Sequence, residues 1–293
     1  MQDFFSKNKS LIIQFLRKFF AHQQIELAKV NTWGADITER YRTFTLGGKM
    51  IRGCLTILGY EMFTNQSSDE VVKTAAAMEI FQSALLIHDD IMDRDTMRRG
   101  AKTIFAQYGE SHFGESMGIC AGDIGFFWGF SLLAQVNVDP NIKTAILSTI
   151  AAELTKVGVA QMQDVALGYD EITPNEKTIL NLYRYKTARY TFSLPLMVGA
   201  MLAGQSDKTV KTLEALGEDL GIIFQLKDDQ LDAESDLREG KKTLVGLYGE
   251  KRTDKKFSDL SKEGEQLIAE LPINTQWRRV LLELLEYNKE RNK

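Results

Sequence analysis

Hydrophobic residues recur at helical spacing along almost the whole chain. Ile12, Phe15, Leu16, Phe19 and Phe20 fall three or four residues apart, which predicts an amphipathic helix. Over residues 72–93 the apolar positions include Ala75, Ala76, Ala77, Met78, Ile80, Phe81, Ala84, Leu85, Leu86 and Ile87. They cover more than one face, so this helix is expected in the middle of the protein. Residues 118–134, 142–167, 177–203 and 213–232 read the same way. Alternating strand patterns bounded by turn residues are hard to find. The pattern predicts an all-α domain of about ten or more helices. The breaks at 64–68, 137–141, 169–175 and 204–207 carry turn chemistry, and none is a long linker. One domain over residues 1–293 is therefore expected. The charged stretch after Gly249 reads as a solvated helical ending.

Composition narrows this further. Among 293 residues, 44% are hydrophobic and 26% charged, which fits a globular protein with a sizeable core. Only four prolines occur, as long helices require. The net charge of −4 weighs against a nucleic-acid partner. Two cysteines, Cys54 and Cys120, make no disulfide framework and suit a reduced, cytoplasmic setting. The first twenty residues lack a continuous apolar stretch and a small-residue cleavage site, so no secretory leader is expected. No unbroken 18-residue apolar run is found, so no stable membrane insertion is expected.

The candidate chemistry is acidic. Asp89 and Asp93 stand four residues apart on a predicted helix, which places both carboxylates on one face. Asp228 and Asp232 repeat the spacing. Like charges there destabilise a helix unless a cation lies between them. Apolar residues precede both sets, as at the mouth of a cavity. Mg²⁺ suits such a site, because it takes one or two carboxylates plus phosphate oxygens and water. A solvated acidic face explains either motif alone, whereas two matched copies favour the metal.

Cations complement the acids. Gly47-Gly48-Lys49-Met50-Ile51-Arg52 offers glycines for close backbone approach and two cations at helical spacing, features that suit a diphosphate. An ordinary basic helix start explains it equally. Arg98 and Arg99 point in different directions and can serve two anions, or form a solvated turn. Lys186-Thr187 sits among aromatics. Gln225 lies three residues before Asp228, and Gln82 seven before Asp89, each on its aspartate's face. His88 has no second histidine nearby and reads as a hydrogen-bonding neighbour.

In order, the chain shows Gly-Gly-Lys-x-x-Arg, His-Asp-Asp-x-x-Asp followed by Arg-Arg-Gly, Gly122-Asp123, Lys-Thr, and Phe-Gln-x-x-Asp-Asp-x-x-Asp. From about Gly47 to Thr243 this resembles the trans-isoprenyl diphosphate synthases, the family of farnesyl, geranylgeranyl and longer polyprenyl diphosphate synthases. The resemblance implies an isoprenoid synthase-type all-α bundle around a deep central cavity, usually a homodimer, with the two acidic motifs facing each other across the active site. It implies that Asp89, Asp93 and Asp228 ligate about three Mg²⁺ ions, supported by Asp90, Asp229 and Asp232. Arg98, Lys186 and Lys241 would bind an allylic diphosphate (dimethylallyl, geranyl or farnesyl). Lys49, Arg52, Gln82 and Arg99 would bind isopentenyl diphosphate. Thr187 and Gln225, with Lys186, would stabilise the allylic cation. Gln161 and Asp164 match a further polar pair.

Departures are visible. Gly53 stands where the family usually has proline, and Gln82 where many members have histidine. The segment after Asp232 is shorter than in the family, so that one diphosphate-facing lysine is either missing or replaced by Lys242, a departure that bears on the lid over the site. In the family, bulky residues four and five positions before the first Asp limit product length. Here these are Leu85 and Ala84, and small Ala84 argues against a strict fifteen-carbon stop. Phe126, Phe127, Trp128 and Phe130 offer the next floor, with Phe127 and Trp128 the residues to test. A twenty-carbon geranylgeranyl product is expected, with farnesyl or longer products the alternatives. A class I terpene cyclase and a non-catalytic partner subunit are the rivals. The intact second motif disfavours both.

Overall fold

The computed structural model describes residues 1–169, 174–233 and 242–290. The described residues fold into helices, as the pattern predicts, and one short hairpin: α1 (Gln2–Ala28), α2 (Thr32–Leu46), α3 (Ile51–Thr64), α4 (Asp69–Met92), β1 (Met97–Arg98), β2 (Ala101–Lys102), α5 (Ile104–Gln107), α6 (His112–Ala134), α7 (Pro140–Tyr169) and α8 (Glu176–Leu182). A π-helix (Tyr183–Ser193) then leads directly into α9 (Leu194–Leu202), followed by α10 (Asp207–Leu231), α11 (Leu244–Tyr248), α12 (Glu250–Glu270) and α13 (Thr275–Glu290). Contacts gather these into two compact units. The first holds Gln2–Ile57 and Ser67–Lys143, and the second holds Met1, Leu58–Gln66 and Thr144–Lys293. Two of their boundaries fall inside α3 and α7, and another falls in the loop between α3 and α4.

In the first unit α4 is the buried helix. Ser68 caps it by accepting the Val71 amide, with Asp69 and Glu70 in the first turn, where the helix dipole favours acids. Residues on all its faces are buried, including Ala75, Met78, Ile80, Phe81, Ala84 and Ile87. Helix α6 packs against it through a glycine face. A Cβ at Gly122 would stand 2.2 Å from His88 Nε2, and one at Gly129 2.4 Å from Phe81 Cε1. Gly125 admits the Tyr41 hydroxyl in the same way, and that hydroxyl donates to Ile80 O at 2.8 Å. The α1 stripe buries Ile12, Leu16 and Phe20, as expected. By length and composition α6 is long and apolar enough to cross a membrane, with 44% of its most apolar window buried. The sequence predicts no such segment, because no unbroken apolar run of that length is present; Glu115 and Asp123 are the acidic residues within α6. Two charges do not disqualify it, and its glycine face is already packed on α4.

In the second unit α10 lies backbone to backbone on the π-helix. A Cβ at Gly221 would fall 2.2 Å from Ala188 Cα, and one at Gly217 2.4 Å from Ser193 Cα. Arg189, almost fully buried, donates to Glu153 of α7 at 2.9 and 2.7 Å, to Glu218 at 3.3 Å and to Glu214 of α10. A buried arginine shared among three carboxylates fixes register, since loss of a partner leaves uncompensated charge. The charged stretch after Gly249 is not a solvated ending. It folds as two amphipathic helices that bury Leu260, Ile268, Trp277, Leu281, Leu284 and Leu285.

The hairpin is the element that the pattern does not foretell. Met97 pairs with Lys102 and Arg98 with Ala101, and the turn places Arg99 (φ 54°) and Gly100 (φ 78°) in the left-handed region. Strands of two residues leave no alternation to read, while a two-residue turn with both φ positive is a standard hairpin solution.

Candidate active site

Each acidic motif closes a helix. Asp89 and Asp90 end α4, and Asp93 is its C-cap, with its amide donating to Asp89 O at 2.9 Å. Asp228 and Asp229 end α10, and Asp232 caps it, donating to Asp228 O at 2.9 Å. Carboxylates at a helix C-terminus oppose the helix dipole, so both ends call for cations.

The second aspartate of each motif faces inward. Asp90 is fully buried, and its Oδ1 accepts Arg98 Nε at 2.5 Å. Burial pushes its carboxyl up to about 6, while the Arg98 guanidinium pulls it down. Arg98 Nη2 also lies 3.9 Å from Asp89 and 3.7 Å from Asp95. Asp229 is 3% exposed, accepts the Tyr183 hydroxyl, and takes Gln225 Nε2 at 3.2 Å. The same Tyr183 oxygen accepts the Leu244 amide at 3.0 Å, which ties α10 to the start of α11. Tyr183 was not singled out from the sequence. Only its place three residues before Lys186 hinted at it.

The first unit gathers a basic cluster. Lys49 is exposed and Arg52 half-buried, with Met50 between them in the left-handed region (φ 58°). Arg99 leaves the hairpin opposite to Arg98 and reaches Gly48, where a Cβ would stand 3.4 Å from its Nη1. Gln82 lies on α4 three residues after the buried Glu79, whose carboxyl is pushed up by burial and pulled down by Arg52 and Arg99. In the second unit Lys186 and Thr187 stand half-buried on the π-helix, and Lys186 pairs with Asp164 of α7. Gln161 Nε2 is buried without a hydrogen-bond partner. Lys242 donates to Leu167 O at 3.2 Å. Lys241 lies outside the described residues.

His88 Nε2 meets Ile119 O at 3.2 Å, a neighbour's contact. Of the four α6 aromatics, Phe126 and Phe130 pack on α4, with Phe126 6.4 Å from Phe81 and 5.8 Å from His88 between ring centroids. Leu85 falls between those two residues on the same helical face. Ala84 is fully buried. Trp128 instead packs on Phe19, Phe20 and Tyr41 and donates to Gln23, and Phe127 is 72% exposed. An exposed ring is poorly placed to floor an interior cavity.

The donor set suits Mg²⁺. Asp89, Asp93 and Asp228 offer only hard carboxylate oxygens. Among the described residues no three His, Cys, Asp or Glu side chains come together as a protein-only metal cage. Mg²⁺ takes carboxylate oxygens of this kind together with phosphate oxygens and water.

Each unit thus carries one helix that ends in an acidic motif, with basic groups on neighbouring segments. The family model for polyprenyl synthetase matches residues 35–263, and the chain belongs to that family. It is accordingly a trans-prenyltransferase, and the family's diphosphate chemistry depends on Mg²⁺. Similar proteins include the geranylgeranyl diphosphate synthase of Sulfolobus acidocaldarius, 32% identical over 240 residues covering 78% of this chain and 68% of that one. The short chain isoprenyl diphosphate synthase of Methanocaldococcus jannaschii is 31% identical over 219 residues, 71% of this chain and 64% of that protein. The geranylgeranyl pyrophosphate synthase of Corynebacterium glutamicum, solved with isoprenyl diphosphate and magnesium, is 25% identical with a TM-score of 0.87, covering 98% of this chain and 99% of that one.

Proposed function

We propose that this chain condenses isopentenyl diphosphate head-to-tail with an allylic diphosphate, giving geranylgeranyl diphosphate as its main product. The observation that carries this is the pair of helix C-termini closed by Asp89–Asp93 and Asp228–Asp232. Asp89, Asp93 and Asp228 hold about three Mg²⁺ ions on the allylic diphosphate. The metal, when bound, stabilises negative charge on the departing diphosphate. Asp90, Asp229 and Asp232 support the ligands, two of them through Arg98 and Tyr183. Arg98, Lys186 and Lys241 bind the allylic diphosphate. Lys186 gives up part of its pairing with Asp164 to do so, and Lys242 substitutes for the lysine of the shortened segment. Thr187 and Gln225 direct their oxygen dipoles at the allylic cation. Lys49, Arg52, Gln82 and Arg99 hold isopentenyl diphosphate, whose double bond attacks that cation. The proton lost afterwards goes to the released diphosphate.

Relatives named geranylgeranyl diphosphate synthase support the twenty-carbon product, and so does the small, buried Ala84. Of the chain-length candidates, Leu85 with Phe126 carries the limit in this reading. Phe127 and Trp128 do not, since one is exposed and the other faces α1. The protein works in the cytoplasm and as a homodimer, and the dimer is supported by Phe113, Ile119 and Phe127 exposed along α6. Incubation with Mg²⁺, labelled isopentenyl diphosphate and dimethylallyl, geranyl or farnesyl primer tests the product. Accumulation of the twenty-carbon chain from all three is expected. Products ending at fifteen carbons overturn the length assignment.

A further inference from the structure

The buried carboxylate of Glu79 has no part in the roles above. It lies on α4, 5% exposed, three residues before Gln82. Its Oε1 accepts the Gly53 amide at 2.7 Å, and the Arg52 amide supports the same carboxylate. Helix α3 begins at Ile51, so these are first-turn amides that the helix itself leaves without partners. An anion at that position also suits the helix dipole. Burial pushes the Glu79 carboxyl up, while the Gly53 amide and the Arg52 and Arg99 guanidiniums, which come from two separate segments, pull it down. Position 53 is matched to it. A proline there would remove the amide, and a Cβ would stand 2.7 Å from Ile12 Cδ1 and 3.0 Å from Ala75 O. Glycine alone donates the hydrogen bond and lets α3 come this close to α4.

We infer that Glu79 is a positioning residue for the isopentenyl diphosphate site, holding the first turn of α3, and with it Lys49 and Arg52, in register with Arg99. It touches no substrate and acts through the groups that do. The inference rests on the proposed assignment of those cations to isopentenyl diphosphate. The expected consequence is selective. Loss of an acceptor oxygen for the α3 amides slackens the grip on one substrate and leaves the Asp89, Asp228 and Lys186 groups alone.

Steady-state kinetics of the full chain test it, with isopentenyl diphosphate and farnesyl diphosphate varied in turn. Glu79→Gln keeps one acceptor oxygen and loses the other, and should raise KM for isopentenyl diphosphate about tenfold, the worth of one hydrogen bond. KM for farnesyl diphosphate should stay within about twofold, and Glu79→Asp should recover part of the loss. An isopentenyl KM that does not move, or equal rises in both KM values with a lowered Tm, overturns the inference. If Glu79→Gln does not fold, Glu79→Asp carries the test, and an unchanged isopentenyl KM overturns it. A wild-type protein that elongates no primer defeats the proposed reaction. Binding of inorganic pyrophosphate to wild type and Glu79→Gln then decides the Glu79 role, with equal affinities overturning it.

Discussion

Arg98 Nε donates to Asp90 Oδ1 at 2.5 Å, so a hairpin arginine neutralises the buried member of the first acidic motif. Asp229 is engaged in the corresponding place of the second motif by Tyr183. In both motifs the second aspartate thus belongs to the scaffold, and the first and last remain nearer the surface. Arg98→Ala leaves Asp90 buried with its main counter-ion gone. We expect a loss of about 3 kcal/mol in urea unfolding, together with a fall in turnover. Unchanged stability would show that the pair is incidental.

Asp219 gives a pH signature away from the site. It is buried on α10, its Oδ2 has no hydrogen-bond partner among the described residues, and burial pushes its carboxyl up to about 7. Glu218 and Glu263 add to the rise, while Lys256 and Arg184 oppose it. A carboxyl whose folded pKa lies above its unfolded value stabilises the fold at low pH, and that contribution disappears as pH rises through about 7. Asp219→Asn should therefore raise Tm by about 2–4 °C at pH 8 and have little effect near pH 4. An equal gain at both pH values contradicts the burial argument.

The glycine face of α6 predicts opposite effects for one kind of substitution. Gly122→Ala drives a methyl into His88 and should cost about 1–3 kcal/mol. Gly158 of α7 meets nothing within 4 Å, so Gly158→Ala should stabilise by about 0.5–1 kcal/mol through helix propensity. Thermal unfolding of both variants reads the contrast directly.

Product length separates the aromatics of α6. Phe126→Ala removes the ring packed beside the Leu85 turn and should lengthen the main product by one five-carbon unit or more. Phe127→Ala changes an exposed side chain and should leave product length unaltered. Chromatography of dephosphorylated products measures both. Longer products from Phe127→Ala alone would return the limit to that residue.

Much of this was legible in the sequence. The apolar rows at 72–93 and 213–232 foretold α4 and α10 because burial on several faces follows from residue type alone. The acidic motifs were legible because four-residue spacing is also geometry. Tyr183, Glu79 and Arg189 were not, because their partners lie tens of residues away and their roles depend on burial. The π-helix stayed hidden for a related reason. One extra residue per turn over eleven residues blurs helical periodicity without replacing it. The charged helices α12 and α13 misled because their apolar rows are narrow and their exposed faces dominate the composition.

The central claim is that the two acidic motifs serve one metal-dependent chain extension. Incorporation of labelled isopentenyl diphosphate with farnesyl primer tests it most directly, in wild type, Asp89→Ala and Asp228→Ala, with Mg²⁺ and with the metal chelated. The account predicts incorporation by wild type with Mg²⁺ only, and its loss in either variant while circular dichroism keeps the helical signal. Incorporation without metal, or near-normal turnover in Asp89→Ala or Asp228→Ala, would contradict it.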